Sequence, residues 1–387
     1  MKRFAAIWLI SLGLFSIVSA QSGRKAQPTP SPVSATPVSE APYYSESTPQ
    51  KKRPRYQIPS LRGSADANSK ANSTSQNNVP ATPNTDAVGE DVVTVETNLI
   101  TIPVSVFDRN GLYVSNLRQS DFKIFEDGKE QEIAYFGTSD KPFTVILLID
   151  TSPSTDYKIE EIRLAAVAFV DQLKPQDKVM VIEFDGNVHV LTEPTGDRPK
   201  IYKAISKADF GYGTSLYDAV DFSLSKRLSK IEGRKAIVLF TDGVDTQSSK
   251  ASYDTTLNLA EESEALIFPI YYNTFAGNSG GGGLSGVTMN QIGNRPQDYA
   301  LGKKYLDELA DYTGGRVFRP EATPGGLTAA FEGIAEELRR QYNIGYIPSD
   351  DGRPGQRRQI KVRVDRRNLV LRARDSYIVG ARAKPAN

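Results

Sequence analysis

Residues 143–154 read FTVILLIDTSPS, and their pattern decides the fold. The first seven positions are apolar or threonine, with no polar alternation. Such a run marks a strand buried on both faces, as in a parallel sheet flanked by helices. It stops at Asp150-Thr151-Ser152-Pro153-Ser154, an acid followed by hydroxyls at every second position. Where a strand runs off its sheet, alternate side chains still project the same way, so these oxygens can converge. Oxygen ligands at a strand's carboxyl end suit a hard divalent cation such as Mg²⁺. They also suit an ordinary strand-to-helix turn in which Ser or Thr caps the next helix. Both readings stand at this point.

Downstream, strands and helices alternate. A helical stripe over 157–173 carries Ile159, Ile162, Leu164, Ala166, Val167 and Val170 near a 3.6 period. A strand over 178–184 turns at Asp185-Gly186-Asn187 into a short return over 188–191. Helices follow over 198–208 and 215–228, the second opened by a capping box at Ser215-Leu216-Tyr217-Asp218. Then come a buried strand over 235–241, a helix over 253–264 and a strand over 265–272. A long loop over 273–300 contains four glycines at 280–283, before a helix over 303–312, a short strand over 316–319 and a last helix over 325–340. This alternation predicts a doubly wound, mostly parallel α/β domain over 141–340, with one antiparallel hairpin strand at an edge.

The flanks read differently. Residues 91–140 have strand patterning, with Asp127-Gly128 predicting a hairpin between 122–125 and 132–136. Strand patterning returns over 341–380. The two pieces are expected to fold together as a small β-sandwich-like module into which the α/β domain is inserted, because domain termini often lie close together. Residues 381–387 are read as a tail. At the other end, Lys2 and Arg3 precede an apolar stretch closing on Val18-Ser19-Ala20, the form of a signal peptide over 1–20. Residues 21–90, rich in Pro, Ser and Thr, are expected to be a disordered linker, with a solvated basic knot at 51–55. These features imply an extracytoplasmic protein, periplasmic or secreted, with no membrane span in the mature chain.

Composition narrows the chemistry. The 387 residues hold 47 Lys and Arg against 46 Asp and Glu, a net charge of +1 that gives no nucleic-acid footprint. There is no cysteine, hence no disulfide framework or thiolate metal site, and the one histidine, His189, reads as a solvent-facing strand residue. Oxygen ligands remain. Ligand sites in open α/β sheets lie beyond the carboxyl ends of the strands, and the strand over 235–241 ends there in Asp242-Gly243. Between the two strands, Gly211-Tyr212-Gly213-Thr214 opens a helix and offers another hydroxyl. Asp150, Ser152, Ser154, Thr214 and Asp242 together supply two carboxylates and three hydroxyls. Mg²⁺ rarely takes a complete protein cage, so a position would stay open to an outside acceptor.

This constellation resembles the metal-ion-dependent adhesion site of the von Willebrand factor type A family, whose pattern is D-x-S-x-S, then T, then D. The stretches VFDRNGLYVSNLRQSDFKIFEDGKEQEI and YNIGYIP are also similar to a subgroup of exported "VWFA-related" proteins typified by acidobacteria. The resemblance implies that Ser152, Ser154 and Thr214 ligate Mg²⁺ (or Mn²⁺ or Ca²⁺) directly or nearly so, and that Asp150 and Asp242 bind its waters or the ion. It further implies that a Glu or Asp of a protein partner completes the shell, in a protein-binding role without catalysis. Two alternatives remain: a metal-dependent hydrolase, and a structural domain with a metal staple and no partner. Asp218 is read as a helix-capping residue, Asp156 and Asp245 as solvated turn residues, and the glycine run as a spacer.

Overall fold

The computed structural model describes residues 43–47, 99–138, 141–154, 159–272, 295–321, 323 and 325–380. The signal peptide, the basic knot, Asp156, the glycine run and the tail lie outside the described residues. A five-stranded sheet forms the centre of the α/β part. Its strands are β6 (Phe143–Asp150), β7 (Lys178–Phe184), β8 (Val188–Thr195), β9 (Arg234–Thr241) and β10 (Leu266–Tyr271), in the order β10-β9-β6-β7-β8. All neighbours run parallel except β7 and β8, which pair antiparallel at the edge. Every residue of β6 is buried, because the sheet is covered on both sides.

Alternate residues of β6 serve opposite cores. Val145, Leu147 and Ile149 pack under helices α1 (Ile159–Gln172), α2 (Arg198–Ile205) and α6 (Gly326–Arg339). Ile146 and Leu148 pack under α3 (Leu216–Asp221), α4 (Tyr253–Glu262) and α5 (Pro296–Thr313). The chain leaves β6 toward β7 on one side and later returns to β9 on the other. The switch point therefore falls between β6 and β9, where such sheets form their crevice.

Several local expectations shift. Leu164 is exposed rather than part of the α1 stripe, whose buried side runs through Ile162, Ala165, Ala166 and Phe169. The return strand β8 reaches Thr195, and α5 begins at Pro296, inside the stretch read as loop. The helix expected over 215–228 is α3 followed by a wider turn over Phe222–Arg227 and a tighter one over Leu228–Lys230. In place of a strand over 316–319, Phe318 alone bridges to Ile270.

The flanking strands close into two sheets over one core. One sheet orders β13 (Leu369–Arg372), β2 (Ile100–Asp108), β11 (Tyr342–Tyr346) and β5 (Ile133–Thr138). The other orders β1 (Ser45–Glu46), β12 (Arg357–Val364), β3 (Phe122–Glu126) and β4 (Lys129–Gln131), with β14 (Ser376–Ile378) also on β12. Inward residues of both, among them Val104, Ile124, Ile344 and Val362, form a single core around buried Tyr342. The turn between β3 and β4 has Asp127 and Gly128 both at positive φ, the backbone that an Asp-Gly hairpin demands. The hairpin joins β3 to β4, not to the 132–136 stretch; past Glu132 the chain crosses to the other sheet as β5. Ser45–Glu46 also departs from the expected linker: it pairs with β12, where Glu46 meets Arg363 at 2.6 Å. The α/β part enters after β5 and leaves into β11, and these two strands pair with Thr138 opposite Tyr342.

Candidate metal centre

The carboxyl ends of β6 and β9 put two acids side by side. Asp150 is the last residue of β6 and Asp242 follows β9; both are fully buried. Beyond β6 the chain turns on itself, and the Ser152 N–H donates to Asp150 Oδ1 at 3.0 Å. The Ser152 and Ser154 hydroxyls lie 3.1 Å apart, so the alternate positions do share a face as they leave the sheet. Thr151, between Asp150 and Ser152, points back and donates its backbone N–H to Phe184 O at 2.9 Å, fixing the turn to the end of β7. Ser152 is buried, Ser154 half-buried and Pro153 exposed, so the site opens toward Pro153.

The Thr214 loop is tied to both of these turns. Gly211 donates to Thr151 O at 3.1 Å, and Thr214 O accepts from Thr246 N at 2.9 Å and Gln247 N at 3.0 Å in the loop after Asp242. The Thr214 N–H donates to the Thr246 hydroxyl at 2.9 Å. Two glycines make this approach possible. A Cβ on Gly211 would fall 1.5 Å from Asp185 Oδ2, and one on Gly213, at φ 78°, would fall 2.2 Å from the Gln247 side chain. On the far side, Gly243 (φ 82°) meets Gly302 of α5 backbone to backbone, where a Cβ would come within 2.8 Å. That contact holds the Asp242 turn, whose carboxylate also accepts from Val244 N at 3.0 Å.

Electrostatics set the site's character. Burial, and then the charge of Asp242, push Asp150 up to about 7, while hydrogen bonds from Ser152 and Thr241 pull it back down. Thr241, the last residue of β9, donates to Asp150 Oδ2 at 2.6 Å and accepts from Gly243 N at 3.0 Å. The sequence reading missed this threonine, because a Thr in a strand looks like any other β-former; its signal is the position just before the second acid. Two carboxylates held dry and close are costly to charge together, and a divalent cation relieves that cost. The donors are all oxygen, two carboxylates and three hydroxyls, and among the described residues no group of three or more His, Cys, Asp or Glu gathers as a metal cluster. The residues present fit a hard ion.

Other polar residues near the rim are structural. Asp218 does not cap α3: the Ser215 hydroxyl donates to Gly186 O at 2.8 Å instead. The Asp218 carboxylate accepts from the backbones of Ser249, Lys250 and Ala251 at 2.7–3.1 Å, a loop need that overrides the local motif. Half-buried Asp245 accepts from Tyr217 N at 3.2 Å and from the Ser248 hydroxyl at 2.5 Å, so it is more than a solvated turn residue. His189 lies exposed on β8, 3.6 Å from Asp185.

Residues 145–244 match the family model of the von Willebrand factor type A domain. Similar solved structures include an aerotolerance-related membrane protein from Bacteroides fragilis NCTC 9343, at 18% identity and a TM-score of 0.39, covering 51% of this chain and 98% of that one. The vWF domain of the type V pili tip protein Mfa5 from Porphyromonas gingivalis is similar at 14% identity and a TM-score of 0.39, covering 51% and 95%. A von Willebrand factor type A protein from Catenulispora acidiphila is similar at 13% identity and a TM-score of 0.40, covering 73% and 75%. A search of curated proteins gives no match. No helix of the described residues is long and apolar enough to cross a membrane.

Proposed function

We propose that this chain, whose residues 145–244 form a von Willebrand factor type A domain, uses it as a cation-assisted protein-binding module outside the cytoplasm. Domains of this family commonly serve adhesion between proteins, and the reading assigns no catalytic step. Asp150, Ser152, Ser154, Thr214 and Asp242 would hold Mg²⁺, or Mn²⁺ or Ca²⁺ in its place. Bound there, the cation supplies a positive centre that a partner's Glu or Asp completes. The chain's own part is positional. The β6 and β9 ends hold the acids, Thr241 keeps Asp150 oriented and charged, and the two glycines let the Thr214 loop close over the turn.

The observation that carries the reading is the pair of buried acids at the switch point, with Asp150 raised by burial and by Asp242 and a serine pair beside it. A buried acid pair without a function is costly to keep, and beside aligned hydroxyls it suits a hard cation. Export rests on the signal-peptide pattern of residues 1–20. Calorimetric titration of Mg²⁺ into the protein and into Asp150→Asn tests the site. Saturable binding in the first that weakens at least about a hundredfold in the second is expected. Equal heats, or none from either, would overturn it.

A further inference from the structure

Away from the acid pair, a groove of about 620 Å³ runs between the α/β part and the sandwich, and Gly380, the last described residue, lines it. The point where the chain leaves is fixed. Val379 O accepts from Gly355 N and Val379 N donates to Gln356 O, each at 2.8 Å, and Gly380 turns the backbone at φ 77°. Residues 381–387 follow, reading Ala-Arg-Ala-Lys-Pro-Ala-Asn. Small apolar residues at 381, 383 and 385 alternate there with Arg382 and Lys384. In an extended chain that spacing sets the apolar residues on one side and both cations on the other.

The groove matches both sides of such a strand. Leu228, Ile231 and Ile378 give it apolar surface. Its acids come from both parts of the molecule: Glu232 before β9, Glu262 at the end of α4, Glu264 just beyond, and Asp351 of the sandwich. Among the described residues that line it, the two bases already have acceptors. Lys235 Nζ donates to Leu228 O at 3.4 Å, and buried Arg374 donates to Ser376 O at 2.9 Å and to Glu261 O. The carboxyl end of α4 adds its partial negative charge at the same place. Lys384 stands four residues past Gly380, a reach of roughly 13 Å when extended, which spans a groove of this size. A second copy would have to bring the same residues from solution, at a far lower local concentration than a segment already joined to the groove's edge.

We propose that residues 381–387 dock in this groove as a basic clasp, with Arg382 and Lys384 on its acids and Ala381, Ala383 and Pro385 on its apolar surface, tying the α/β part to the sandwich. The clasp is independent of the cation site. Because the chain has no cysteine, Ala386→Cys can carry a single nitroxide spin label on the full chain. At low salt its paramagnetic resonance spectrum should be that of a label held against the protein. Glu232→Lys with Glu262→Lys, both at exposed positions, should keep the fold by circular dichroism and lower the ratio of held to free label about tenfold. Adding Arg382→Glu with Lys384→Glu to that variant should restore the held spectrum. A free label in the chain with its charges intact, or a label equally held after the first reversal, would overturn the clasp. So would failure of the second reversal to restore holding in a folded protein. Holding that fades on about tenfold dilution would also overturn it, assigning the groove to a second copy of the chain.

Discussion

Removing the Thr241 hydroxyl deletes one of the contacts that keep Asp150 charged. Thr241→Val keeps the β-branched shape in β9 and deletes the 2.6 Å hydrogen bond to Asp150 Oδ2. The acceptor is a fully buried carboxylate that burial and Asp242 already push toward protonation. A hydrogen bond to a charged group is worth about 1.5–3 kcal/mol. At about 1.4 kcal/mol per tenfold, the charged form of Asp150 becomes roughly tenfold to a hundredfold harder to reach. A cation needs that charged form, so Mg²⁺ affinity should fall by that full factor at pH 6 and by about twofold to tenfold at pH 8, where the wild-type carboxyl is already mostly charged. Calorimetry at pH 8 and pH 6 measures it, and Thr241→Ser should restore binding because it keeps the donor. Wild-type affinity for Mg²⁺ in Thr241→Val at both pH values would refute the argument that this hydroxyl maintains the charge on Asp150.

Acidity should act through the same pair. Asp150 is raised from 3.8 to about 7 by burial and Asp242, so protons compete with the cation, and Mg²⁺ affinity should drop about tenfold per pH unit below about 7 and level off above it. The sign for the metal-free fold is opposite. A carboxyl with a raised folded-state pKa stabilises the fold below its unfolded value and loses that contribution as pH rises, so the apo melting temperature should decline from pH 4 toward pH 7. Saturating Mg²⁺ should flatten that decline, and thermal melts with and without the ion decide it. Gly213→Ala combines a positive φ with a collision against Gln247, whereas Gly111→Ala has φ 80° but open space. The first should lose about 2–3 kcal/mol and most Mg²⁺ affinity, the second about 1 kcal/mol and no affinity, as read by urea unfolding and calorimetry. On the opposite side of the α/β part, Glu337 of α6 is buried against Arg316 at 2.8 Å and faces Arg372 of β13 at 3.8 Å. Glu337→Ala should cost about 3 kcal/mol, because it strands two arginines, while leaving Mg²⁺ binding intact.

How much of this was legible in the sequence depended on whether local signals agreed with global ones. The unbroken apolar run of β6 left no choice but a sheet covered on both faces, and its abrupt end in an acid and hydroxyls located the crevice. Thr214 was marked by flanking glycines, whose necessity the structure explains through Asp185 and Gln247. Asp218 was misread because a Ser-x-x-Asp spacing describes a helix start in isolation, whereas here the neighbouring loop needed three acceptors more than the helix needed a cap. The Asp127-Gly128 turn type was readable, but a turn says nothing about the next residues, and β5 crosses to the other sheet past Glu132. Ser45–Glu46 was hidden because two residues carry no periodicity; what holds them is Arg363, more than three hundred positions away.

The pairing of Thr138 with Tyr342 sets where force on the α/β part would enter the sandwich. The proposed cation site lies at one pole of the α/β sheet, while both covalent connections to the sandwich leave from the other. A pull applied at the rim would therefore run down the strands and arrive at β5 and β11 together. Because those strands are hydrogen-bonded neighbours in one sheet, the tension is shared between two anchor lines at a single spot, and neither strand is peeled away from the other.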